Sequence, residues 1–422
     1  MELIENKKIE EKLYIEKLDN GLTIMFVPHK TRKKYIVWAT KFGSIDNKFK
    51  VNEETFIMPD GIAHYLEHKM FEQESGKNSL DTLSALGVEA NAYTTGNHTA
   101  YLYECTDNFY EALDEFMNYV QNPYFTDENV EKERGIIGQE IQMYDDSADW
   151  SLYLNAIKGM YKENEINIDT AGTLETIAEI DKDKLYKNYY SFYRPDNMAI
   201  VVCGDFDKDE IFSEIKKRIT MTNRDEKISR IYNNEPLEIA SKKTIKQMDI
   251  SMPQFIIGFK DNIFEDNKIK KDIAIDILSN ILFSKSSKFY EEIYNEGLIQ
   301  VEPSITYEFA DTYSHVLIQG LAKNVDEVVL RLENRIKSLK ENGIDDEDFV
   351  IAKRAVYGEM VKIFTDPQTI SNNFISNYMR GINLFDYFEL FDTIDKEYVE
   401  IVLEKVFNFD REVISIINPI KN

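Results

Sequence analysis

The pentapeptide His64-Tyr65-Leu66-Glu67-His68 constrains this chain more than any other feature, because it can gather its donors when it lies on a helix. At about 100° per residue, His64 and His68 stand one turn apart on one face, and Glu67 falls beside them near the ring nitrogens. Pro59-Asp60-Gly61 breaks the chain just before this segment. Ile62, Leu66 and Met70 then recur at helical spacing, an apolar stripe suited to a core. One metal ion can bridge both imidazoles. A catalytic zinc takes three protein ligands and keeps a position for water, so a third ligand must come from elsewhere while Glu67 stays free to act as a base. The chain has 5 histidines in 422 residues. By composition the spacing arises by chance on the order of one per cent of the time, which favours a metal site over a merely solvated helix face.

The stretch from Thr126 to Ile141 predicts a second helix, with Thr126 as its N-terminal cap and acidic residues in the first turn. Glu133 and Glu140 lie seven residues apart on one stripe, so either carboxylate can face a metal. The order H-x-x-E-H is the inverzincin signature. With Glu140 standing 72 residues after His68, the chain resembles the pitrilysin and insulin-degrading enzyme family, with the mitochondrial processing peptidase and its bacterial relatives. The resemblance implies that His64, His68 and Glu140 hold Zn2+, that Glu67 is the catalytic base, and that Glu133 supports the ligands. It extends through Ala90-Asn91-Ala92-Tyr93 to Tyr101, which looks like the family's edge strand. There Asn91, Ala92 and Tyr93 are candidate substrate contacts, the peptide adding as a further β-strand. Read alone, these residues are an ordinary strand followed by a Gly-Asn turn. His98 is expected to be structural.

A chain of 422 residues is too long for one typical core and suits two domains. No apolar run approaches the 18 residues of a transmembrane span, and the charged segment Met1 to Lys8 is unlike a signal peptide; no membrane association and a cytoplasmic location are expected. Cys105 and Cys203 cannot form a disulfide framework and fit buried thiols. A net charge of −26 argues against nucleic acid as a partner and suits basic peptides.

The organisation is that of a duplication. Strands are expected at Leu22 to Val27 and Tyr35 to Phe42, helices at Leu80 to Leu86 and Phe109 to Val120, and a closing strand at Met198 to Cys203. The polar stretch Thr220 to Glu238 has no apolar periodicity, giving a zinc-bearing half at 1–220, a linker at 221–243 and a diverged half at 244–422. In the latter, Phe255 to Phe259 is a strand, and Ile305 to Phe309 with His315 to Leu321 resemble the edge hairpin. Asp345-Asp346-Glu347 opens a helix carrying Glu359, and Val413 to Ile417 closes the copy. The expected fold class is α+β, two homologous α/β halves, each an antiparallel-rich sheet packed by helices; the family resemblance implies that they form half of a clam-shell chamber that admits unfolded peptides.

The second half lacks H-x-x-E-H. It also departs from self-sufficient relatives, which carry an Arg and, seven residues on, a Tyr around a Gly-Leu core. Ile293 and Gln300 stand at those positions. Isoleucine cannot donate to an oxyanion, and loss of one such donor costs ~10²–10³ in rate. The resemblance therefore implies the zinc-bearing subunit of a two-component processing peptidase acting on leader or precursor peptides. It would work as a heterodimer with a homologous metal-free subunit that supplies the Arg and Tyr. The alternatives are a non-enzymatic peptide-binding or scaffold subunit, which predicts lost ligands, and a self-sufficient homodimer, which the missing pair disfavours.

Overall fold

Runs of β-branched and aromatic residues build two large antiparallel-rich sheets, each packed by helices, beside a three-stranded one, in a computed structural model that describes residues 1–262 and 267–420. Ten strands lie in the first part of the chain: β1 Glu2–Asn6, β2 Glu11–Lys17, β3 Thr23–Pro28, β4 Lys34–Thr40, β5 Lys48–Val51, β6 Glu54–Ile57, β7 Glu89–Thr94, β8 Thr99–Cys105, β9 Met198–Gly204 and β10 Ile228–Arg230. Five follow: β11 Lys243–Met248, β12 Gln254–Lys260, β13 Ser304–Phe309, β14 Ser314–Leu321 and β15 Glu412–Pro419. The fold is α+β, as the sequence leads one to expect.

The first sheet runs β1-β2-β3-β9-β4-β8-β7, and the second β11-β15-β12-β14-β13. The two share one pattern. In both, one parallel pair (β3 with β9, β11 with β15) is followed by three antiparallel steps outwards to an edge hairpin. The hairpins match in register: Thr94 opposes Thr99 across a four-residue turn, and Phe309 opposes Ser314 across another. β9 is buried along its whole length, and β4 over all but its first residue, so these central strands read as continuous apolar runs.

The chain forms two compact units: residues 1–141, 168–232 and 361–384 in the first, and 142–167, 233–360 and 385–422 in the second. Each unit thus contains a helix from the other end of the chain. In the first unit the helix Pro367–Met379 packs on β9 and β4. It buries Ile370, Phe374 and Ile375, and it accepts a hydrogen bond from the Tyr35 hydroxyl at Asn372 Oδ1, 3.1 Å away. In the second unit the helix Ala148–Met160 packs on β15 and β12. The contact is close: a side chain at Gly159 would meet Val413 Cγ1 at 2.6 Å, and one at Gly258 would meet Met160 Cε at 3.1 Å.

The polar stretch expected as a linker holds regular structure. It contributes β10, which pairs with β5, and Arg230 and Tyr232 bind Asp46 at 2.9 and 2.7 Å. Asp46 is buried, and a buried carboxylate is tolerated only when its oxygens are occupied in this way. Both cysteines are buried free thiols, as expected. No helix among the described residues is long and apolar enough to cross a membrane.

Candidate metal centre

The helix Ile62–Lys69 carries the H-x-x-E-H segment, and its start is set by Gly61. Gly61 has φ +87, and a Cβ there would lie 2.5 Å from the Ala171 carbonyl oxygen, so a glycine is required on both counts. Ile62 and Leu66 pack into the core, and the Tyr65 hydroxyl donates to the Val130 carbonyl on the facing helix. That second helix, Asp127–Asp145, starts as its sequence predicts. Thr126 Oγ1 accepts from Asn129 N at 3.1 Å while Asn129 Oδ1 accepts from Thr126 N at 2.8 Å, a reciprocal cap that satisfies two amides. Val130, Ile137 and Ile141 bury its apolar stripe, and Glu133 lies buried within that stripe.

The two helices bring His64, His68 and Glu140 together, with their donor atoms all within 4.8 Å of one another. His64 Nε2 lies 3.7 Å from one Glu140 oxygen, and His68 Nε2 lies 3.4 Å from the other. Ligands bonded at 2.0–2.2 Å in a tetrahedron are separated by roughly 3.4 Å, close to the two histidine–carboxylate separations. The donor set fits as well, being two imidazoles and a carboxylate that leave a fourth position open. His64 Nδ1 is buried and has no hydrogen-bond partner among the described residues.

Supporting contacts extend outward. His68 Nδ1 donates to Glu133 Oε1 at 3.1 Å, which turns its Nε2 lone pair towards Glu140. Burial works against a charged imidazole at His68, but the Glu133 hydrogen bond and the charges of Glu67 and Glu140 outweigh it and raise its pKa. Glu133 is shifted the other way. Burial favours its neutral form, yet the His68 hydrogen bond and the Lys69 charge hold it below the usual carboxylate range.

Glu67 is buried, and burial raises its pKa despite the opposing pull of His64 and of a hydrogen bond from Thr94. The Thr94 hydroxyl donates to Glu67 Oε2 at 2.7 Å. This contact was not foreseen from the sequence, although strict alternation along β7 puts Thr94 on the same face as Ala92. β7 is the edge of its sheet and packs against the metal helix, and among the described residues no strand pairs with its outer side. Asn91 is exposed, and its Oδ1 accepts from Ala92 N at 2.9 Å. Tyr93 lies on the opposite face from Thr94. Its ring packs edge-on against His98 and its hydroxyl bonds Ser376, and burial pushes its pKa up to about 12. Only the backbone of Tyr93 is therefore available to a strand added at the edge. Ile293 is fully buried and Gln300 is exposed.

Comparison with known proteins shows what the chain is similar to. Residues 58–174 match the family model described as insulinase, peptidase family M16, and residues 179–356 match the one described as peptidase M16 inactive domain. An uncharacterised zinc protease of Bacillus subtilis, YmfH, is 36% identical over 99% of this chain and 99% of its own. The mitochondrial-processing peptidase subunit beta of Arabidopsis thaliana is 20% identical over 86% of this chain and 71% of its own. The crystal structure of an M16-like peptidase from Alicyclobacillus acidocaldarius superposes with a TM-score of 0.93, at 31% identity, over 99% of this chain and 100% of that one.

Proposed function

This chain belongs to the M16 (insulinase) family of peptidases, and on that premise we propose that it is the zinc-bearing subunit of an endopeptidase acting on unfolded leader or precursor peptides. The observation that carries the reading is the convergence of His64, His68 and Glu140 beside a buried Glu67 and the open edge of β7. Zinc held by those three residues would polarise the scissile carbonyl and make its water acidic enough to ionise near neutral pH. Glu67, with its pKa raised and its carboxylate aimed by Thr94, would take that proton and pass it to the leaving amine. Glu133 would hold His68 in the ligating tautomer. The substrate would add as a strand to β7, through the backbone of Asn91, Ala92 and Tyr93, which reads extended chain more than side-chain identity.

The proposed duplication places these functions in residues 1–220, with 221–243 joining them to a second half, 244–422, that has no metal segment. With Ile293 and Gln300 at the positions where relatives carry Arg and Tyr, transition-state charge is left unsupported within this chain. A homologous metal-free partner in the cytoplasm, carrying Arg and Tyr seven apart, would supply both.

The test separates metal, base and partner. The purified chain is expected to hold about one zinc, and His64→Ala or His68→Ala to lose it. Glu67→Gln should keep zinc while peptide cleavage in the assembled pair falls by ~10²–10⁴. Full zinc in both histidine variants overturns the site. Turnover by the lone chain at ~1–10³ s⁻¹ that Glu67→Gln abolishes overturns the need for a partner.

A further inference from the structure

Lys69 follows the second histidine directly, and its side chain is 0% exposed. A lysine is almost never so buried unless its charge is paired. Its Nζ lies 2.8 Å from Glu72 Oε2 and 3.7 Å from Glu133 Oε2. The other oxygen of Glu133 is the one that accepts from His68 Nδ1. The two oxygens of Glu133 are thus divided between a histidine and a buried ammonium, and Glu72 holds that ammonium at 2.8 Å. Lys132, the other cation near Glu72, is 69% exposed and cannot fix a carboxylate in the same way.

We infer that Lys69 is a positioning residue for the metal centre: it fixes the Glu133 carboxylate, and through it the ring orientation of His68. The inference rests on the zinc reading above. Without Lys69, Glu133 would have one anchored oxygen and could swing about the His68 contact, and the His68 lone pair would lose its fixed aim. Charge alone would act in the opposite direction, because deleting a nearby cation favours binding of a dication. The ammonium is already neutralised by Glu72 at 2.8 Å. Removing both as a neutral pair leaves the long-range field nearly unchanged and isolates the geometric effect.

The experiment therefore compares the wild type with Lys69→Met and with the charge-neutral pair Lys69→Met/Glu72→Leu, which does not strand the Glu72 carboxylate and protects the fold. The readouts on folded protein are zinc affinity by chelator competition and the visible spectrum of the cobalt(II)-substituted protein. The pair variant is expected to bind zinc ~10–100-fold more weakly, the usual cost of losing an outer partner of a ligand, and to show an altered cobalt spectrum. In a Glu133→Gln background the same changes should add little, because Lys69 acts through Glu133. Unchanged affinity and spectrum in the folded pair variant overturn the role of Lys69 while leaving the metal site intact. A wild type that binds neither zinc nor cobalt overturns both, and so distinguishes failure of the function from failure of this inference.

Discussion

At the scale of single residues, His98 shows how burial becomes pH dependence. Burial, with a smaller contribution from the Arg380 charge, lowers its pKa to about 4. Above pH ~6.5 neither the folded nor the unfolded chain protonates it, and its contribution to stability is complete. Between 6.5 and 4 the unfolded chain binds a proton that the native state refuses, so stability falls as pH falls, by up to about 1.4 kcal/mol per pH unit. The unfolding free energies of wild type and His98→Leu should therefore converge by about 2–3 kcal/mol between pH 7 and pH 4.5 in denaturant titrations. Parallel curves would mean that His98 takes up its proton in the fold. The metal ligands titrate in both proteins and cancel from the difference. His64, Glu67 and His68 were legible in the sequence because they lie on one helix, where spacing sets the face; spacing put Glu133 and Glu140 on one stripe of a second helix, and the family resemblance singled out Glu140 as the expected ligand. Thr94 and Lys69 were not, since their roles depend on which atoms of another element they meet.

At the scale of elements, the start of the metal helix is the most sensitive point. Gly61 combines a left-handed backbone with a close approach to Ala171, and Gly172 mirrors it: a Cβ there would lie 2.5 Å from the Asp60 carbonyl oxygen. Gly61→Ala should cost at least about 2 kcal/mol, from backbone strain and from separation of the two loops. Because the loop sets the helix that bears both histidines, zinc stoichiometry should fall along with the melting temperature. An alanine variant that melts with the wild type and keeps its zinc would refute this account. Most strands were readable from their apolar runs, β3, β4, β9, β12 and β15 among them. The β1–β2 hairpin and the small sheet of β5, β6 and β10 were missed because Glu11–Lys17 mixes charges in without clean alternation, and Lys48–Val51, though it alternates, is only four residues long. β10 lay inside what read as a linker, and its place follows from pairing with β5 and from Asp46, which are invisible to local pattern.

At the scale of the whole molecule, the exchanged helices decide what can fold alone. The first sheet is covered by Pro367–Met379 and the second by Ala148–Met160, so a cut in the linker gives two fragments that each lack their cover. Ile370, Phe374, Ile375 and Met379 are each no more than 2% exposed. At about 1.5–3 kcal/mol per buried side chain, their loss alone rivals the net stability of a domain. Fragments 1–220 and 221–422 expressed separately are expected to aggregate, and expressed together to assemble into a soluble complex that melts cooperatively. A soluble, cooperatively melting 1–220 on its own would show that the covering helix is dispensable. Sequence order reveals the duplication but not this exchange, because nothing local to a helix states which sheet it will cover. The exchange also bears on separability: the chain can be divided in two only if both parts are present together, because each sheet waits for a helix that the other part carries.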